Sequence, residues 1–470
     1  MTTQQTVSTF GAVGDVGPNW VDDVLLAGDG DQLAFSHPQP VRRAELAELV
    51  ALRRQALVAA GLRPGGAAAL WLAPSLAYVA NLLATWQLGA QAILLDHRLT
   101  RFEIDRALAR LSPQVVVSAS ASVGGFRIFH EVSDTVTGYS DRPAETDHAV
   151  IQLSSGSTGP SKIIGRTAAD LVTEIGRYTR IDGVPRAGER IILLPSVVHV
   201  LGLVGGLLYG LQAGVTLTPP ERLTGDSILD AIDSAESPAT VLGVPFHINL
   251  LNSVAGARRP AAFKRMTTGG ELVPPSVVAA FTDRYGVPLG NMYGMTEVGV
   301  IATDLYGQHR PALQPAPGIQ LEDVDGELRI ARERSPYLGD PVPDRWADGW
   351  LRTKDAGRVD PDTGLVTILG RLDSQVTIGG LQVDLAEVET ELNLQPGVAA
   401  AVVLFDGSVT AYLELADGTE LAAVEAGLAQ RLAGYKLPRR YQPLSRFPRT
   451  TTGKLLRNKD ALREAAAAAQ

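Results

Sequence analysis

From Ser154 to Lys162 the chain reads Ser-Ser-Gly-Ser-Thr-Gly-Pro-Ser-Lys. Hydroxyls, two glycines and a terminal lysine in so short a span suit phosphate. Glycines let backbone N–H groups turn inward, hydroxyls add donors, and the lysine adds positive charge. The order is not that of a Walker A loop, because Lys162 follows Ser161 and precedes Ile163 rather than a hydroxyl residue. The plain alternative is a Ser/Gly linker. The run Ala149-Val150-Ile151 before it reads as a buried strand, so the loop sits at a strand end.

Four more clusters are polar and glycine-rich where a core would not be. They are Thr268-Gly269-Gly270-Glu271, Tyr293-Gly294-Met295-Thr296-Glu297, Trp350-Leu351-Arg352-Thr353-Lys354-Asp355 and Pro448-Arg449-Thr450-Thr451-Thr452-Gly453-Lys454. Each has an ordinary reading: a tight turn, a solvated acid, a turn cap, an exposed lysine. Their order along one chain is what carries information.

Composition narrows the function classes. The 470 residues carry a formal net charge of −9, which argues against non-specific binding to nucleic acid or anionic membranes. With no cysteine there is no disulfide, no thiolate nucleophile and no Cys-ligated metal. Met1 to Asn19 lacks a basic region followed by an apolar one, so no leader is expected and a cytoplasmic location is. Ile191 to Pro220 has no charged side chain, yet Pro195 and five glycines interrupt it. It reads as a strand, a turn and a buried glycine-rich helix rather than a membrane span.

The elements that must position these clusters follow from periodicity. Helices are expected at Arg43–Ala60, Ala77–Leu88, Arg101–Leu111, Asp170–Tyr178 and Pro275–Tyr285. Strands are expected at Ala67–Leu72, Ala92–Leu95, Val115–Ser118, Ile191–Leu194 and Thr240–Gly243. Such alternation implies an α/β fold of doubly wound parallel sheets, whose ligands bind beyond the carboxyl ends of the strands. From about Ile319 short strands with turns indicate a small β-rich, barrel-like unit. After Gly370-Arg371-Leu372-Asp373 come a strand at Gln375–Ile378, the pair Gly379-Gly380, and a helix opened by Asp384 and Glu387 as a capping box. Strands at Val398–Leu404 and Val409–Leu415 and a helix at Leu421–Leu432 complete a small α+β module.

Taken together and in order, the five clusters and Gly370-Arg371 resemble the adenylate-forming superfamily: acyl- and aryl-CoA synthetases, peptide-synthetase adenylation domains and luciferases. Gln152 to Thr167 is most similar to stand-alone aryl-acid AMP ligases. The resemblance covers nearly the whole chain. It implies an N-terminal adenylation domain (1–370), a hinge (371–373) and a mobile C-terminal domain (374–470). It implies an AMP-forming ligase that joins a carboxylate to the α-phosphate of ATP and passes the acyl group to a thiol, on CoA or on a carrier-protein phosphopantetheine. Ser154, Ser155, Gly156, Ser157, Thr158, Gly159 and Lys162 would hold phosphates. Thr296 would bind phosphate and Glu297 Mg²⁺. Gly269, Gly270, Glu271, Tyr293 and Gly294 would line the adenine pocket. Asp355 would take the ribose hydroxyls, with Arg371 between ribose and phosphate. Lys454 would bridge acid and α-phosphate, and Asp373 would be the hinge that withdraws Lys454 and brings Gly379-Gly380 in.

His199, Val200, Leu203, Val244, Phe246 and Gly270 would form the acid pocket, with His199 by the carboxylate. The family's amino-acid activators place an Asp in this segment, and Ile191 to Pro220 contains none. A free ammonium there would cost several kcal/mol, so an apolar acyl or aryl group is expected. Three departures from the family pattern stand out: Ser161 where Pro is usual, Lys354 where Gly is usual, and Thr377 and Gly379 where basic residues are common. Two rival readings are an activator of amino-acid-type substrates or non-thiol acceptors, and a non-catalytic nucleotide-binding homologue. No nucleic-acid partner and no membrane insertion are expected.

Overall fold

The computed structural model describes residues 16–36, 39–119, 129, 131–154, 162–256, 258–270, 273–339, 342, 344–448 and 459–468. A seven-stranded sheet has Val150–Ser154, Gln91–Leu94, Ala67–Trp71 and Val115–Ala119 parallel at its centre. Antiparallel strands Lys162–Arg166 and Asp134–Gly138 flank them. The helix Leu76–Gln87 is buried along nearly its whole length. That explains why its sequence is apolar all round rather than on one stripe. Its N-cap Ser75 accepts from the Tyr78 N–H. Thr100 and Glu103 close a capping box at the start of Arg101–Leu111.

The larger sheet runs parallel from Leu33–Phe35 through Thr216–Leu217, Arg190–Leu193, Ala239–Gly243 and Phe263–Gly269 to Leu289–Met295. It then turns antiparallel. Ala312–Pro315 pairs with Gly299–Asp304 on one side and Val366–Arg371 on the other. The β-rich unit is therefore continuous with the large sheet through one shared strand, and its long strand is Trp350–Val359.

The uncharged stretch folds as the strand Arg190–Leu193, a turn, a π-helical segment Leu201–Leu208 and the helix Tyr209–Ala213. Close packing needs its glycines: a Cβ on Gly202 would overlap the Ser196 carbonyl, and one on Gly206 the Leu193 side chain. Among the described residues no helix is long and apolar enough to cross a membrane.

Beyond Asp373, the hairpin Gln375–Ile378 with Leu381–Asp384 turns on Gly379 and Gly380, both at positive φ (57° and 81°). That pairing matches a hairpin turn which L-residues disfavour. Asp384 caps the helix Leu385–Asn393 by accepting from the Ala386 N–H. The expected reciprocal bond from Glu387 is absent, because its carboxylate instead takes the Lys436 ammonium at 3.1 Å. Strands Val398–Phe405, Val409–Leu415 and Arg440–Leu444 form a sheet over a core of its own that includes Val388, Leu392, Val403, Leu413 and Leu428.

Candidate active site

The polar clusters gather where the parallel strands end. Gly269 closes one strand, Thr296 and Glu297 follow Leu289–Met295, and Val244 follows Ala239–Gly243. Asp96 follows Gln91–Leu94, and His199 lies in the turn after Arg190–Leu193. Ser154 pairs across the hairpin with Lys162. Strand ends leave N–H groups and side chains unpaired by the sheet, which makes this edge the binding edge.

On one side lies a charged network. The Tyr293 hydroxyl donates to Asp355 Oδ2 at 2.6 Å, and Arg371 donates to Asp355 Oδ1 at 3.1 Å. Arg371 also forks onto both oxygens of Asp373, at 2.9 and 2.5 Å. From the other side Arg345, only 4% exposed, reaches Asp373 Oδ2 at 3.1 Å. The Tyr337 hydroxyl donates to Glu297 Oε1 at 2.8 Å, with Arg345 3.7 Å from the same oxygen. Seven side chains from distant parts of the chain thus connect Asp355 to Glu297 through Asp373.

Burial sets the electrostatics. It pushes Asp355 above the ordinary carboxylate range despite the opposing pull of Arg371. Burial and then Asp355 raise Tyr293. Burial, followed by the neighbouring Arg345, lowers the Lys162 ammonium. A buried carboxylate of this kind can accept from a pair of ligand hydroxyls, and an anion bound beside Lys162 would favour its charged form.

Among the described residues no three His, Asp or Glu side chains cluster as a metal cage. Glu297 fits a different mode. Mg²⁺ is commonly held by one or two carboxylates together with substrate phosphates. Glu297 is buried, is oriented by Tyr337 and Arg345, and shares the neighbourhood of Lys162.

The other side is apolar, with one polar cluster. Leu203 and Val244 are buried and Val200 half-buried. Gly270, at φ 90°, has room for a Cβ only 4.0 Å from Val244. Phe246 is 43% exposed and packs edge-on against His247, so its ring does not line a closed wall. His199 is not a core histidine. Its side chain is 41% exposed and its Nε2 hydrogen-bonds Asp96 Oδ2 at 3.1 Å. Arg98 grips the same carboxylate with two donors, at 2.8 and 2.5 Å. Burial opposes charge on Asp96, but Arg98 and His199 outweigh it and hold the group well below the usual range.

The C-terminal module closes over this edge. A Cβ on Gly380 would meet the Val244 side chain at 2.8 to 3.2 Å. The Arg98 guanidinium lies 5.5 Å from the Tyr435 ring centre. Lys436 bridges Glu103 (2.8 Å) and Glu387 (3.1 Å), Arg106 meets Glu391 (3.1 Å), and Arg431 stacks on Phe102 at 4.4 Å.

Of the sequence-derived candidates, the structure brings Tyr293, Asp355, Arg371, Asp373, Glu297 and Lys162 to one side. His199, Val200, Leu203, Val244 and Gly270 stand on the other. Ser155, Gly156, Ser157, Thr158, Gly159, Glu271 and Lys454 lie outside the described residues. Sequence reasoning missed Asp96, Arg98, Tyr337, Arg345 and Tyr435. Only the apolar-to-charged switch at Leu95-Asp96-His97-Arg98, directly after a strand, hinted at the first two.

Residues 27–336 match the model of a family described as AMP-binding enzyme. The chain belongs to the AMP-binding enzyme family. It is 28% identical to a feruloyl-CoA synthase from Amycolatopsis sp., over 88% of this chain and 92% of the relative. It is 27% identical to a fatty acid–[acyl-carrier-protein] ligase from Streptomyces coeruleorubidus, over 86% and 87%. Among solved structures, an o-succinylbenzoate CoA synthetase from Bacillus subtilis aligns with a TM-score of 0.80 at 24% identity, over 94% and 98%. With relatives of this kind, this AMP-binding enzyme is an AMP-forming acid–thiol ligase.

Proposed function

We propose that this ligase activates an apolar acyl or aryl carboxylic acid lacking an α-ammonium group, using ATP and Mg²⁺, and transfers it to CoA or a carrier-protein phosphopantetheine. The observation that carries the acid class is the state of Asp96. Among the described residues it is the carboxylate that His199 contacts, and it is already neutralised by the two-pronged grip of Arg98 and by His199. A substrate ammonium would find no free anion there among the described residues.

The roles follow from chemistry. Asp355, with Tyr293 and Arg371 on its two oxygens, takes the ribose hydroxyls. Ser154 to Gly159 and Lys162 hold the phosphates, and Gly269 to Glu271 with Tyr293 and Gly294 frame the base. Thr296 adds a phosphate contact. Glu297 would hold Mg²⁺, which supplies charge neutralisation for the departing pyrophosphate. His199 lies by the acid carboxylate, and Lys454 stabilises charge as the acyl–phosphate bond forms. The 374–470 module rotates about Asp373. The contact of Gly380 with Val244 supports reading the present arrangement as the one that serves thioester formation, since it brings the glycine turn to the acid wall.

The test is a matched pair of acids differing only in an α-amino group, compared in ATP–pyrophosphate exchange. An unpaired ammonium in this wall costs several kcal/mol. The amino-free acid should therefore exchange at least about a hundredfold better. Equal exchange, or a preference for the amino acid, would overturn the acid assignment.

A further inference from the structure

Directly behind the site, two side chains form an ion pair closed off from solvent. Arg166 donates to Glu174 Oε2 at 2.5 Å, and their side chains are 2% and 0% exposed. Burying two charges is costly and weak as a source of stability, so their location needs a reason. Arg166 ends the strand Lys162–Arg166, which leaves the phosphate-type loop. Glu174 lies on the helix Ala168–Tyr178. Its second oxygen, Oε1, accepts the backbone N–H of Val300 at 3.0 Å.

Val300 is the first residue past Gly299, where the turn carrying Thr296 and Glu297 rejoins the sheet opposite Met295. Gly299 has φ 88°, and a Cβ there would overlap the Glu174 carboxylate. The turn is thus seated directly on Glu174. One carboxylate joins the strand that follows the phosphate loop to the turn that bears the metal-type acid.

We infer that Glu174 is a positioning residue that fixes the Thr296–Glu297 turn relative to the phosphate-loop strand, and so sets how well Mg²⁺ is held with the nucleotide. The inference rests on the proposed role of Glu297. Glu174 lies outside every motif by which the site was recognised. A carboxylate behind a metal ligand typically changes metal affinity by about 10- to 100-fold when removed.

The experiment uses the full chain with Glu174→Gln, Gly299→Ala, and the double variant Glu174→Ala/Gly299→Ala against Glu174→Ala. A non-hydrolysable ATP analogue is titrated by calorimetry with and without Mg²⁺, and exchange is measured with an acid that the unmodified enzyme accepts. Glu174→Gln and Gly299→Ala should each cut the affinity gained from Mg²⁺ about tenfold or more, leaving metal-free affinity and the KM for the acid within about threefold. Adding Gly299→Ala should cost less of the Mg²⁺ gain in the Glu174→Ala background than in the unmodified protein, because truncation removes the group the new Cβ strikes while the cost of φ 88° is common to both. A lowered Tm with an unchanged Mg²⁺ gain in the folded protein would overturn the inference and leave Glu174 a structural residue. Should Glu174→Gln not fold, the cost of Gly299→Ala with and without Glu174→Ala decides by the same readout, and equal costs would overturn the inference. If the unmodified enzyme shows no exchange with any acid, the proposed function fails instead, while the binding comparison still judges Glu174.

Discussion

The contact between the C-terminal module and the helix Arg101–Leu111 can be weakened by one atom exchange, Glu103→Gln. Glu103 has two duties. Its Oε2 accepts from Thr100 N at 2.9 Å and Oγ1 at 3.0 Å, closing the helix cap, and its Oε1 takes Lys436 at 2.8 Å. Glutamine serves equally in a capping box, so the helix start is kept. The charge opposite Lys436 is lost. Both side chains of that pair are under a tenth exposed, so solvent does not screen it away. Losing one partner of a buried pair costs about 3–5 kcal/mol when nothing replaces it. Lys436 keeps Glu387, so the loss falls to that of a charged hydrogen bond, about 1.5–3 kcal/mol. At 1.36 kcal/mol per tenfold, this docked arrangement drops about 10- to 150-fold in population relative to others. The two half-reactions separate the effect. Acid-dependent pyrophosphate exchange should stay within about twofold, while thioester formation from preformed adenylate slows about tenfold or more. Equal slowing of both steps, or no change in either, would refute the link between this interface and thioester formation.

Three further substitutions follow from the geometry. Asp96→Asn leaves Arg98 without its anion and a single amide oxygen to serve both Arg98 and His199, and should lower exchange about tenfold or more, with kcat affected more than the KM for ATP; unchanged exchange would remove His199 orientation from the account. Lys354 sits at φ 59°, a left-handed conformation costing L-residues about 1–2 kcal/mol, so Lys354→Gly should raise stability by up to about 1 kcal/mol, read as a higher Tm. His247 accepts the Val244 N–H through Nδ1 at 2.9 Å and burial lowers its pKa to about 4. The folded state then binds fewer protons than the unfolded one between pH 6.5 and 4. Stability from this group is therefore present above pH 6.5 and is lost as pH falls through 4. His247→Gln should flatten unfolding curves over that window, and an unaltered pH slope would contradict the assignment.

What the chain made legible was local. Helices Arg101–Leu111 and Pro275–Tyr285 have the expected bounds because a capping box and an N-terminal proline mark their starts. Gly269-Gly270 and Thr296-Glu297 stand at strand ends, whereas Lys354-Asp355 lies inside the long strand Trp350–Val359. Lys354, noted as an oddity before Asp355, proves to occupy a glycine-like conformation. Pairings far apart in sequence were not legible. Asp96 and His199 are separated by 103 positions, and nothing local marks either as the other's partner. Arg345 sits in a proline-rich stretch that reads as a turn, yet its guanidinium joins Glu297 to Asp373. Glu387 looked like a cap because its spacing from Asp384 is right, but a buried lysine competes better for its charge. The edge strand Arg440–Leu444 is polar and holds Pro443, so its parallel pairing with Val409–Leu415 has no period-two signature.

The central claim is tested most directly by acid-dependent ATP–pyrophosphate exchange over aryl, fatty, dicarboxylic and amino acids, followed by addition of CoA or a phosphopantetheinyl carrier protein. The account expects exchange with an acid of the apolar acyl or aryl class, and AMP release with a thioester once the thiol is added. Folded protein that binds ATP yet exchanges with none of these acids, or only with amino acids, would contradict it.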